Sequence, residues 1–234
     1  KDFELIIIND HSTDRSLQLI KSFSDKRIIL IENKKNLGCT KSRNKAIIMS
    51  KGKYIFFTDS DCYVDKNWIT NGLKQFRKNI IGVEGKTIYI SKNYKPTLSD
   101  RMPGNVNIEK EYMTCNMAYL KENLIKVGLF DSRFHYNEDR ALALALLKNG
   151  EITNCKNMIV THQKKIWSVK TFMKTANRIK DRIKIYKYLG EKQFVSGVFF
   201  EPKSLLKILI PPLAFIGPIF KGKIKNWQDL KLLP

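Results

Sequence analysis

Acidic residues are scarce in this chain: 22 Asp and Glu stand against 43 Lys and Arg, a formal net charge of +21. A surplus of that size favours anionic partners, whether phosphates, nucleic acid or the cytoplasmic face of a membrane. Cysteine is also sparse. Cys39, Cys62, Cys115 and Cys155 lie far apart with no CxxC pair, which suggests neither a zinc site nor a disulfide framework and points to a reducing compartment. No secretory leader is visible, because "LIII" is too short and runs straight into "NDHSTD". The abrupt start at Lys1, without Met, points to a segment upstream. No internal repeat, low-complexity tract, RNP, zinc-finger or basic-zipper pattern is present. Aromatic residues sit in apolar runs and are not interleaved with Lys for base stacking, which disfavours a nucleic-acid-binding protein despite a pI of about 9.8. The apolar stretch "SLLKILIPPLAFIGPIF" is short of the roughly 20 residues a spanning helix needs, and Pro211-Pro212 would interrupt one. An interfacial or re-entrant segment fits it better.

What is present has the make-up of a globular protein. The 234 residues are 43% hydrophobic and 11% aromatic, enough for one sizeable domain and an appendage. "FELIIIND", "RIILIEN" and "KYIFFTDSD" are continuous apolar runs that end in polar turn residues, the pattern of strands covered on both faces. Helical patterns separate them: "STDRSLQLIKSFSD", with Ser12 as N-cap, and "TKSRNKAIIMSKG", stopping at Gly52. This alternation predicts βαβ units, hence an α/β fold with a mostly parallel sheet flanked by helices. A helix around "NWITNGLKQFRKN", a strand "IGVEGKTIYIS", a long loop over 91–111 and a helix over "NEDRALALALLKNG" follow. Residues 164–234 differ in kind, with 16 Lys and Arg against 4 Asp and Glu. They read as a basic amphipathic helix followed by the interrupted apolar stretch. The predicted division is a catalytic domain over 1–163 and a membrane-associating tail over 164–234.

Two acidic pairs invite chemistry. Asp59 and Asp61 sit one residue apart at the end of "YIFFTDSD", either a polar turn or a metal-diphosphate site. Glu138 and Asp139 open a predicted helix, where negative charge suits the dipole, so capping is the plain alternative to catalysis.

Four stretches in order resemble the family 2 glycosyltransferases, enzymes of the GT-A fold that use nucleotide-sugar donors. "FELIIINDHSTDRS" resembles the family's strand and "DDGSTD" motif, with Asn9 in place of the first Asp. "NLGCTKSRNKAIIMSKGKYIFFTDSD" resembles the block that ends in the DXD motif, "VGLFDSRFHYNED" the "FD…ED" signature, and "VTHQKK" the short strand ending in His. Together they run from residue 3 to about 163. There are three departures. The family's opening strand and helix have no counterpart, Ala145 occupies the Arg position of "EDxxLxxR", and Ile166 occupies the Arg position of the processive "QxxRW" motif. The last of these predicts transfer of a single sugar.

The resemblance implies roles. Asp61 would hold Mg²⁺ or Mn²⁺, and Asp59 the ribose or the same metal, with alternation along a strand bringing the two carboxylates together. Asp10 would accept a hydrogen bond from the uracil of a UDP-sugar, against an Asx turn as the alternative. Arg43 would pair with the diphosphate, against a solvated helix face. Asp139 would be the general base that deprotonates the acceptor hydroxyl in an inverting displacement, and Glu138 would orient the site. His162 would be a further metal ligand, against a structural histidine. Asn116 would touch donor sugar or acceptor. The implied acceptor is a glycan or lipid-linked glycan in polysaccharide or glycolipid synthesis, at the cytoplasmic membrane face. With a polyprenyl phosphate, already anionic, as acceptor, no base would be needed.

Overall fold

The computed structural model describes residues 2–90, 110–134, 136–164 and 185. The chain divides into two units, Lys1–Met173 and Lys174–Pro234, and the architecture below is that of the first. Apart from Lys164 and Ile185, the tail expected over 164–234 lies outside the described residues, as does the expected loop apart from Lys110 and Glu111.

The expected alternation opens the chain. β1 (Leu5–Asn9) and β2 (Ile28–Glu32) pair in parallel from Leu5 opposite Ile28 to Asn9 opposite Glu32, with α1 (Ser16–Lys21) between them. The apolar runs place them correctly, yet Leu5 is 43% exposed and Ile6 to Ile8 are only half-buried. Helix α1 is shorter than its pattern. Ser12 does not cap it; the Ser12 N–H instead donates to Asn9 Oδ1 at 3.2 Å, closing the turn after β1. Helix α2 (Cys39–Met49) starts after Gly38, whose φ of +83° few other residues adopt, and ends before Gly52.

A second sheet has five strands in the order β3-β6-β5-β7-β4: β3 (Tyr54–Phe57), β4 (Cys62–Val64), β5 (Ile80–Ile90), β6 (Met117–Leu120) and β7 (Glu151–Gln163). It corrects the expectation of mostly parallel pairing. Only β5–β7 is parallel here; β3–β6, β5–β6 and β4–β7 are antiparallel. Residues 58–61 alone separate β3 from β4, too few for a crossover helix, and β4 runs antiparallel to β7 at the edge opposite β3; β6 runs antiparallel to both of its neighbours, β3 and β5.

Helices cover both faces of this sheet. On one side Ile47 of α2 and Leu142, Ala143 and Leu146 of α5 (Glu138–Leu146) pack with Phe57, Ile81, Met117, Tyr119 and Phe130. On the other, Trp68 of α3 (Trp68–Leu73) packs with Val83, Ala118, Cys155, Met158 and Val160. The split within β6, with Met117 and Tyr119 on one face and Ala118 on the other, is strand alternation. Gly72 lets α3 lie close, since a Cβ there would fall 2.6 Å from Phe56 Cε1 and 2.8 Å from Met158 Sδ. Beyond the loop, buried Glu84 accepts the backbone N–H of Lys110 at 2.8 Å and of Tyr112 at 2.7 Å, fixing where the chain re-enters. A short helix α4 (Lys121–Lys126) leads from β6 toward α5.

Candidate active site

The polar ends of β1, β3 and α5 converge on α2. Asp10, just beyond β1, takes the backbone N–H of Leu37 on Oδ1 and of Gly38 on Oδ2, each at 2.8 Å, and Asn33 Nδ2 at 2.9 Å. Burial opposes its ionisation, but these donors outweigh it and hold the carboxyl below its ordinary value. Asp10 therefore anchors the turn into α2. Asn33 is buried as well, donating to Ser42 Oγ at 3.0 Å and accepting from Lys45 Nζ at 2.8 Å. Nothing in the sequence marked Asn33, because its partners come from two other segments, the end of β1 and helix α2.

Arg43, on α2, faces the two acidic pairs. Its Nη1 donates to Glu138 Oε1 at 2.8 Å and its Nη2 lies 3.4 Å from Asp59 Oδ1. Burial works against its charge; Asp59 and Glu138 overcome that and hold the guanidinium firmly protonated. Sixteen residues separate Arg43 from Asp59 and 95 separate it from Glu138, so only folding brings the three together. Its neighbour Asn44, not singled out in the sequence, makes a reciprocal pair with the Phe130 backbone, donating to the carbonyl at 2.8 Å and accepting the N–H at 2.9 Å. That pair fixes the approach to α5. An Arg-Asn dipeptide on a helix was the available signal.

Asp139 follows Glu138 in the first turn of α5, after Asn137 in the left-handed region at φ 58°. Its carboxyl is pushed up to about 7, first by desolvation and then by the negative charge of Glu138, against the Arg140 N–H and Arg43. A carboxylate in that range can exchange a proton near neutral pH.

Asp61 sits with a different set. The carboxylates of Asp59 and Asp61 do not converge by strand alternation, because β3 ends at Phe57 and residues 60 and 61 form a turn, closed by the Cys62 N–H on the Asp59 carbonyl at 3.2 Å. Asp59 turns to Arg43. Asp61 meets His162, with Nε2 3.5 Å from Oδ1. Among the described residues the ligand-bearing cluster is Asp61, Cys62 and His162, their atoms all within 4.8 Å of one another. His162 is buried, and its Nδ1 donates to the Gln163 carbonyl at 2.7 Å, a bond in which only the nitrogen can supply the proton. Nε2 is thus the ring atom turned toward the carboxylate, an arrangement that suits a cation. The Cys62 thiol is lowered to about 7, chiefly by a hydrogen bond from Cys115, whose own thiol is raised in return.

Asn116 stands apart. It is 2% exposed, accepts Trp68 Nε1 at 2.8 Å and donates to the Met158 carbonyl at 3.1 Å. A Cβ on Gly85 would fall 2.3 Å from its Oδ1, so glycine makes room for it. Its carboxamide is engaged by the protein itself, and the expected contact with donor or acceptor finds no support in this position.

Residues 1–129 match the model of Glycosyl transferase family 2. The chain is 30% identical over 197 residues to the UDP-Glc:alpha-D-GlcNAc-diphosphoundecaprenol beta-1,3-glucosyltransferase WfaP of Escherichia coli, covering 82% of this chain and 77% of that protein. It is 23% identical over 216 residues to the poly(ribitol-phosphate) beta-N-acetylglucosaminyltransferase TarS of Staphylococcus aureus, covering 89% of this chain but only 34% of TarS. The crystal structure of S. aureus TarS 1-349 in complex with UDP-GlcNAc superposes with a TM-score of 0.61 at 18% identity, covering 99% of this chain and 67% of that one. At that identity the likeness speaks for the fold.

Proposed function

From the premise that the chain belongs to Glycosyl transferase family 2, and is a glycosyltransferase of GT-A fold, we propose that it transfers a single sugar from a UDP-sugar to a glycan or lipid-linked acceptor, with inversion. The relatives support this reading: one is named for UDP-Glc and a diphosphoundecaprenol-linked acceptor, another for a poly(ribitol-phosphate). The product belongs to a cell-surface polysaccharide or glycolipid.

The observation that carries the reading is Arg43 bridging Asp59 to Glu138, with Asp139 beside it and poised near neutrality. In the proposed reaction Asp139 takes the proton of the acceptor hydroxyl, whose oxygen attacks C1 of the sugar. The bond from C1 to the β-phosphate oxygen breaks on the opposite face, and UDP leaves. Glu138 raises the basicity of Asp139 by its charge, and Arg43 limits that rise while fixing both carboxylates. Asp10 holds the turn before α2 and offers its carboxylate at the nucleotide end. Asp61 and His162 would hold a divalent cation, Mg²⁺ or Mn²⁺ in the simplest case, and Asp59 would serve the ribose or the same metal; such an ion would supply positive charge against the negative charge growing on the departing diphosphate.

Domain roles follow as part of the proposal. Residues 1–163 carry the chemistry, and the basic residues of 164–234 hold the enzyme to an anionic membrane surface on the cytoplasmic side. Among the described residues no helix is long and apolar enough to cross a membrane.

The experiment is a screen of UDP-sugars with lipid-linked and polyol-phosphate acceptors, reading UDP release. Acceptor-dependent release by the wild type that Asp139→Asn cuts by about 10²- to 10⁴-fold supports the proposal. Release unaffected by that substitution would remove Asp139 as the base.

A further inference from the structure

We propose that Cys62 is a metal ligand, and that Asp61, Cys62 and His162 together hold a divalent cation of the Zn²⁺ and Co²⁺ class in preference to Mg²⁺. This rests on the cation site above, from which it takes Asp61 and His162, and adds a thiolate that changes which ion the site selects.

The first support is register. Cys62 lies directly opposite His162 in the antiparallel β4–β7 pair, and directly opposed residues present their side chains on one face of a sheet. Asp61 immediately precedes the strand, at the turn, so its carboxylate reaches the same end. Ligand atoms bound to one ion at roughly 2.0–2.3 Å lie no more than roughly 4.6 Å apart. The three candidates already fall within 4.8 Å of one another, so small side-chain movements would close the set.

The second support is independent of the thiol. His162 is 5% exposed and packed against the Tyr89 ring at 5.5 Å between centroids. Its Nδ1 proton is committed to the Gln163 carbonyl at 2.7 Å. Nε2 is then the ring atom that faces Asp61 Oδ1, 3.5 Å away, which places a nitrogen and a carboxylate oxygen close enough to share one ion. A backbone carbonyl behind the distal ring nitrogen is also the usual outer support of a metal-binding histidine.

The ligand types then decide the ion. One sulfur, one imidazole nitrogen and one carboxylate oxygen suit borderline-soft first-row ions, whereas Mg²⁺ asks for an octahedron of oxygens. Asp61 keeps half its side chain exposed, which leaves an open side to the site for a phosphate oxygen. The spaced cysteines gave no hint of this, because the pairing that assembles the cluster joins residues 62 and 162.

The test is a titration of the purified chain with Co²⁺ alone, followed by absorbance, and with Zn²⁺ and Mg²⁺ by calorimetry. The expected wild-type result is a thiolate-to-cobalt charge-transfer band, and Zn²⁺ binding at least tenfold tighter than Mg²⁺. In Cys62→Ser the band disappears and the Zn²⁺ preference falls by at least tenfold, while Cys39→Ser retains both. A folded wild type without the band, or a band that survives in Cys62→Ser, overturns the assignment of Cys62. A parallel titration of UDP with Mn²⁺ separates the two readings. UDP binding without a cobalt–thiolate band defeats this inference alone, whereas a chain that binds neither UDP nor any cation defeats the functional reading with it.

Discussion

Replacing Asp139 by Asn keeps the shape of the side chain and removes its proton acceptor, so its effects can be assigned. Transfer in the wild type should rise with pH through about 7, the range to which burial and Glu138 push this carboxyl. Arg43 pulls in the other direction, so Arg43→Gln should move that limb to higher pH while lowering the maximal rate, and a pH profile of kcat/KM checks both. The same shift bears on stability. A carboxyl raised in the folded state from 3.8 to about 7 favours folding most at low pH, and that contribution drains away as pH rises between the two values. Asp139→Asn lacks this loss. Its stability advantage over the wild type should grow from pH 4 to 7 and then level, reaching at most about 4 kcal/mol, as thermal melts across that range would show. At this scale the sequence was partly legible. The types and spacing of Glu138, Asp139 and Asp61 marked them as candidates, whereas the engagement of Asn116 by Trp68 and Met158 depends on groups 48 and 42 residues away.

At the scale of elements, the apolar runs located β1, β2 and β3 because strands favour the β-branched and aromatic residues that fill them, and the helix patterns fell within a few residues of α2 and α5. Pairing was not legible in the same way. After the short turn that follows β3, β4 lies at the sheet's far edge, antiparallel to β7, which sets Cys62 opposite His162; β6, antiparallel to both β3 and β5, already makes the sheet mixed. Convergence of Asp59 and Asp61 had been expected from strand alternation that residues 60 and 61, being a turn, do not follow, and the two carboxylates take different partners, Arg43 and His162. The seating of α3 gives a check at this scale. Gly72→Ala places a methyl against Phe56 and Met158 inside contact distance, and should cost about 1–3 kcal/mol in denaturant unfolding. A neutral result would mean that α3 does not pack as described.

For the molecule as a whole, the charge of +21 favours anionic partners, and in the proposed reading its concentration in 164–234 assigns contact with an anionic membrane to the tail. The chain should sediment with vesicles containing anionic lipid and release them as salt rises from about 0.01 to 0.5 M, over which screening shortens from roughly 30 Å to a few ångströms. Neutral vesicles should not retain it. Salt-independent retention would argue for burial of the apolar segment in place of surface attraction. The GT-A fold, by contrast, could be read from four stretches in order because each ends at a strand or helix terminus that the fold needs, while the sugar and the acceptor are chosen by surfaces that no local pattern encodes.

The central claim is that Asp61 and its neighbours handle a cation and a nucleoside diphosphate, and calorimetric titration of UDP with and without Mn²⁺ tests it most directly, on the wild type and on Asp61→Ala. The account expects binding by the wild type that depends on the metal, and loss of that dependence in the variant. Binding of UDP that is the same with and without Mn²⁺, and unchanged in Asp61→Ala, would contradict it.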